Sequence, residues 1–223
     1  MRTNCTILSS IRGVVNSNGC NYLSEKGLRL AILLFLLQLL PASVAAKDDK
    51  YHLSENLLVA ARTMLDPRFV GTVIYIYEHS DKGAMGLIIN RLMARVPAKA
   101  IAEQFKISSD VADIEVPIFW GGPVQISRAF ILHSSDYVNN ESKVVGEGVM
   151  LTNNDAMLAA ILDGHGPTGV VFAMGYAGWG PGQLEGELFR EDWINMPATP
   201  EFIFGVDPDL MWNAAQDLYS VEL

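Results

Sequence analysis

The chain has 223 residues, half of them hydrophobic, with 16 Lys and Arg against 25 Asp and Glu and a net charge of −9. An acidic balance with no basic run disfavours direct binding to a nucleic-acid backbone. Both cysteines, Cys5 and Cys20, lie in the first 46 residues, so the remainder has no disulfide, thiol nucleophile or cysteine metal site.

The first element is a leader. Leu28 to Leu40 (LRLAILLFLLQLL) is an apolar run with Lys26 and Arg29 at its start, followed by small residues to Ala46 and then the charged Lys47-Asp48-Asp49-Lys50. These are the parts of a secretory signal. At about 13 residues the run is shorter than the roughly 20 that span a bilayer. Residues 1–46 are therefore expected to be a signal-like leader cleaved after Ala45 or Ala46, which would export the protein to the periplasm. An uncleaved anchor and a cytosolic form are the alternatives, and membrane contact is expected only through an uncleaved leader. Residues 47–223 then form a single domain with 12 basic and 24 acidic residues.

Along that domain, Ser54 to Met64 fits either a helix or a strand at 56–60. Asp66-Pro67 marks a turn. Gly71 to Glu78 (GTVIYIYE) and Ala84 to Asn90 read as strands of an antiparallel hairpin turning at Ser80–Gly83. Pro97 opens a helix that places Ile101 and Phe105 on one face. Short strands at Val116–Trp120 and Ala129–Leu132 flank Gly121-Gly122-Pro123. Thr152 and Asp155 form a capping-box-like pair before a helix burying Met157, Leu158, Ile161 and Leu162, ended by Gly164. Leu184, Leu188 and Trp193 extend a further short helix. Phe202-Ile203-Phe204 reads as a strand, and Asp207-Pro208 starts a last helix through Met211, Ala215 and Leu218. An early hairpin with segregated helices makes the class α+β.

The stretch from Gly175 to Glu187 (GYAGWGPGQLEGE) reads as a glycine-dense turn between strand and helix, with Tyr176 and Trp179 among its glycines. It lacks the lysine and hydroxyl of a phosphate loop, and its glycine spacing is not that of a dinucleotide fingerprint. Glu185 and Glu187 in the first helical turn suit the helix dipole and oppose an incoming anion. The four histidines show no ligand spacing, so no metal is expected. No Gly-x-Ser-x-Gly elbow accompanies Ser134, Ser135 and Asp136 beside His133.

Four patches, DPRF at 66–69, GAMGLIINR at 83–91, GGPV at 121–124 with RAFILH at 128–133, and the stretch from Gly175 to Glu187, come in an ordered set that resembles the AlgH/YqgE family. The resemblance runs from about Asn56 to Leu218, with departures at Leu92, at Ala61-Arg62 and in the leader. It implies an α+β fold with a bent or bifurcated, mostly antiparallel sheet, partly barrel-like and flanked by helices. It also implies a cytosolic alternative to export, and its family names carry a transcriptional-regulator label. Since no helix-turn-helix is evident, that role would act through a partner.

The favoured expectation is a non-enzymatic binding or interaction protein, with no cofactor, metal or catalytic residue assigned. Its surface for a protein or small-molecule partner would centre on Asn90, Arg91, His133, Tyr176, Trp179, Gln183 and Glu185, sharing one face with Trp179 partly exposed. An enzyme using His133, Glu185 or Glu187 as acid or base is the alternative.

Overall fold

The computed structural model describes residues 52–107 and 111–221, so the leader and its cleavage site lie outside the described residues. The strands are β1 (Asn56–Ala60), β2 (Val73–Ser80), β3 (Gly83–Ile88), β4 (Leu92–Pro97), β5 (Glu115–Trp120), β6 (Val124–Ser134), β7 (Lys143–Gly146), β8 (Val149–Thr152), β9 (Val170–Trp179) and β10 (Trp193–Pro197). The helices are α1 (Ala98–Phe105), α2 (Asp155–Leu162), α3 (Gln183–Phe189), α4 (Pro200–Gly205) and α5 (Pro208–Val221). None of the described helices is long and apolar enough to cross a membrane.

One sheet runs β10-β1-β2-β3-β9-β6-β8-β7, and β4 joins it through β5. Every pairing is antiparallel except β5 with β9. The branch lies in β9. Its first half pairs with β5 and β6, whereas Ala177 to Trp179 pair with β3. The sheet is bifurcated and curls into a half-barrel with helices outside it, an α+β architecture as the sequence implied.

Side-chain alternation explains the apolar runs. Leu57 and Val59 of β1, with Val73, Tyr75 and Tyr77 of β2, enter a core shared with Phe202, Met211 and Ala215 of α4 and α5. Leu58, Ala60, Ile74 and Ile76 point the other way, to Trp179, Leu184 and Trp193. Both faces of this part of the sheet are buried, so its strands are apolar throughout rather than alternating. A third core joins α1 and α2 through Ile101, Met157, Leu158 and Leu162 to Ile131 and Phe172.

Several local expectations change. Residues 56–60 take the strand alternative. Gly175 to Trp179 form the second half of a strand, not a turn, and only Gly180 to Gly182 make the corner into α3. Gly175 takes φ +74 inside β9, and Gly122 takes φ +148 where the β5–β6 turn crosses it. A Cβ on Gly122 would lie 2.2 Å from the Tyr176 carbonyl carbon, so two backbones touch where a side chain has no room.

Trp193 starts β10 rather than extending α3. Phe202 to Phe204 are helical, because Thr199 accepts the Phe202 N–H and Pro200 occupies the first turn, a start signal that outweighs β propensity. Asn154, not Thr152, caps α2 by accepting the Met157 N–H, while Thr152 Oγ1 donates to the Glu141 carbonyl. Pro97 precedes α1 as its cap residue. Phe105 and Leu218 lie on exposed faces, and Ile161 is only half-buried. Strands β4, β7 and β8 are additional to the elements expected from the sequence.

Candidate functional site

Where β9 gives way to α3, the surface opens into a cleft of about 610 Å³. Trp179 from β9 and Trp193 from β10 form its aromatic wall, Gln183 and Glu187 of α3 one side, and the loop at 63–69 the other. The two tryptophans come from strands separated by β1, β2 and β3. Four inter-strand spacings in a flat sheet would put them roughly 19 Å apart. Their ring centroids are 6.2 Å apart at 80°, and Phe69 lies edge-on to Trp193 at 5.6 Å. The curl of the sheet brings them together.

One carboxylate organises this wall. Gln183 and Glu187 stand four residues apart on α3 and therefore face the same side. Glu187 Oε2 accepts both indole N–H groups, from Trp179 at 2.8 Å and from Trp193 at 2.9 Å. Its Oε1 accepts the Gln183 amide at 2.9 Å, and Gln183 Oε1 accepts the Gly180 N–H at 3.1 Å. The tryptophans are 7% and 4% exposed, so this carboxylate satisfies two nearly buried donors. At the rim, Arg68 pairs with Asp66 at 2.6 Å and Arg190 with Asp192 at 2.9 Å. The Arg68 guanidinium holds the Asp66 carboxyl below its usual range, chiefly by hydrogen bonding.

Of the seven residues expected to share a surface, Trp179 and Gln183 line this cleft. Trp179 is nearly buried rather than partly exposed, and its ring borders the opening. Tyr176 lines two smaller neighbouring clefts of about 390 and 260 Å³ and packs edge-on against Phe130.

Asn90 and Arg91 do not face the cleft but secure its loop. Asn90 Oδ1 accepts the Val73 N–H and its Nδ2 donates to the Gly71 carbonyl. Arg91 donates to the Arg68 and Val70 carbonyls and stacks over Trp120. These bonds fix the segment that presents Asp66, Arg68 and Phe69.

Glu185 turns towards His79, whose Nε2 lies 2.9 Å from its Oε1. The Leu53 N–H donates to His79 Nδ1 at 3.3 Å, which places the ring proton on Nε2. Both ring nitrogens are thus engaged within the protein. The pair latches α3 to β2.

His133 is far from this arrangement in its bonding. It is fully buried, its Nδ1 donates to the Ser134 carbonyl, and its Nε2 lies 3.4 Å from Ser142 Oγ. Burial pushes its pKa down. Ser134 donates to Asp136, which also accepts the Thr168 N–H, and these bonds hold the Asp136 carboxyl down to about 2. Among the described residues no group of three or more His, Cys, Asp or Glu could hold a metal.

Sequence reasoning missed Trp193, Phe69 and the structural role of Glu187. The available signal was the Gln183–Glu187 spacing, but Trp193 required knowing how β10 returns to β1.

Residues 57–223 match the family model described as AlgH-like. UPF0301 proteins from Thioalkalivibrio sulfidiphilus and Methylococcus capsulatus are 40% and 41% identical, over 77% and 73% of this chain and 92% and 88% of theirs. The solution structure of the AlgH protein from Pseudomonas aeruginosa is 36% identical, with a TM-score of 0.62 over 74% of this chain and 87% of that one. A crystal structure of a Corynebacterium diphtheriae protein, 23% identical with a TM-score of 0.57 over 73% and 84% of the two chains, shares the fold. The ordered motifs, the branched half-barrel and these relatives agree, and the chain belongs to the AlgH-like family.

Proposed function

We propose that this protein is a non-enzymatic binding or interaction protein whose ligand or partner seats an apolar group in the cleft between α3 and the loop at 63–69. The observation that carries the reading is the pair of indoles held by Glu187 at the wall of an open cleft. Preformed concave sites with aromatic walls and a few fixed polar groups are the usual form of a ligand site. Leu65 supports the reading too, since it lines the cleft rim while 93% exposed. A regulatory role would then act through a bound partner rather than through nucleic acid. Export through the leader is part of the same proposal and is tested by the N-terminal sequence of the protein recovered from cell fractions.

The direct test is nuclear magnetic resonance on ¹⁵N-labelled protein with a library of small aromatic and aliphatic fragments. Binding fragments are expected to shift the indole N–H signals of Trp179 and Trp193 together with the Gln183 amide. Fragments that bind while leaving both indoles unmoved would place the site elsewhere and end this reading.

A further inference from the structure

The charges around the cleft are not balanced. Its lining carries Asp66, Glu187 and Asp192 against Arg68 and Arg190. Each arginine is engaged by its own aspartate, in Arg68–Asp66 and Arg190–Asp192, through the guanidinium Nε as well as Nη2. That leaves Glu187, with no cation within 4 Å among the described residues. Its three hydrogen bonds all come from neutral donors, two indoles and an amide. An ionised carboxylate offers about four acceptor positions. Oε2 takes both indole N–H groups, whereas among the described residues Gln183 is the one donor to Oε1, which belongs to a half-buried residue lining the cleft.

We infer that the cleft takes an organic cation: an ammonium group on an apolar stem, with the stem against Trp179 and Trp193 and the ammonium donating to Glu187 Oε1. This rests on the binding reading above and specifies its ligand chemistry. An ammonium supplies the missing charge and the missing donor at once. A neutral hydroxyl supplies only the donor. A carboxylate would meet Glu187 with like charge and find both arginine forks already engaged. The ammonium has two sources, a free amine or the lysine side chain of a peptide, and both present the same group.

The test compares ligands of one shape and three charges: 2-phenylethylammonium, 2-phenylethanol and phenylacetate. Each is titrated while the indole N–H signals of Trp179 and Trp193 are followed. The ammonium is expected to bind about tenfold more tightly than the alcohol, the margin of a charge-assisted over a neutral hydrogen bond, and phenylacetate more weakly than either. Raising the salt concentration should erode the ammonium's margin and leave the alcohol unchanged, a readout that needs no variant. Glu187→Gln should erase the margin.

Acetyl-Phe-Lys-amide beside acetyl-Phe-Gln-amide provides the peptide arm. Tighter binding of the lysine peptide than of the free amine assigns the ammonium to a peptide, and the reverse order assigns it to a small amine. Equal affinities of ammonium and alcohol, or a preference for phenylacetate, would overturn the cation inference while leaving the cleft a binding site. If neither this panel nor the fragment library moves the indoles, the binding reading itself falls.

Discussion

Replacing Glu187 with alanine removes the acceptor shared by Trp179 and Trp193. Both residues are more than nine-tenths buried, so their indole N–H groups lose a charged partner in a place that water reaches poorly. A hydrogen bond to a charged group contributes about 1.5–3 kcal/mol. Glu187 is itself half-buried, so water entering the vacated space recovers part of that sum. The expected loss is about 2–4 kcal/mol of unfolding free energy. In a domain of this size it lowers Tm by roughly 5–12 °C. Glu187→Gln keeps one oxygen that can face both indoles, and the exposed Gln183 amide can rotate to accommodate it. It should therefore cost only about 1 kcal/mol. Urea unfolding followed by far-ultraviolet circular dichroism measures both variants without relying on the tryptophans as reporters, and an unchanged m-value confirms that stability alone has moved. An alanine variant within about 0.5 kcal/mol of the parent would show that the carboxylate does not organise the wall, and a glutamine variant as damaged as the alanine one would show that a single shared oxygen is not what holds the two indoles.

Gly122→Ala places a Cβ 2.2 Å from the Tyr176 carbonyl carbon at φ +148, so it should abolish soluble folded protein or cost more than about 3 kcal/mol; a normal melting curve would refute the crossing as described. Asn90→Ala leaves the Val73 N–H and the Gly71 carbonyl without their side-chain partners, and about 1–3 kcal/mol should be lost, with faster hydrogen exchange across residues 68–72. His133 has a folded-state pKa below its ordinary value, so its contribution is complete above about pH 6.5 and is lost as pH falls through the folded pKa. Tm should decline as pH falls below about 6.5, and a His133→Gln variant should show a flatter decline there. Asp136, held down to about 2, acts at lower pH: its contribution is present above about pH 3.9 and fades towards pH 2, a step that Asp136→Asn should remove in acid-unfolding curves.

The parts of the fold that could be read from the sequence are those where a single physical signal dominates. Strands β2 and β3 sit between two cores, so their apolar runs state their own burial, whereas β1, buried on both faces as well, has a spacing that fits helix and strand equally. Strand β4 is the opposite case: it lies at a branch edge with Leu92, Met93, Ala94 and Arg95 exposed, and its sequence carries no burial pattern. The β7–β8 hairpin is only four residues a side and was equally silent. At Phe202 to Phe204 two local signals conflict, and the cap at Thr199 decides. The site follows the same logic. Trp179 and Gln183 stood out in an unusual stretch. Trp193 and Phe69 could not be joined to them without the curl of the sheet. Asn90 and Arg91 are polar residues following an apolar strand, and their bonds serve the cleft from behind rather than from its surface.

The pairing of β1 with β10 has a kinetic consequence. Asn56 lies opposite Pro197, so the first described strand finds one of its two neighbours only after 140 intervening residues have been made. Until then the backbone of β1 presents an open edge on a strand whose side chains are apolar on both faces. Non-local pairing of this kind slows folding, and open apolar edges invite association between chains. A chain ending before Trp193 would keep the β2–β3 hairpin and the β9 branch yet leave β1 permanently unsealed. Such a truncation is expected to aggregate during synthesis rather than to populate a smaller stable domain.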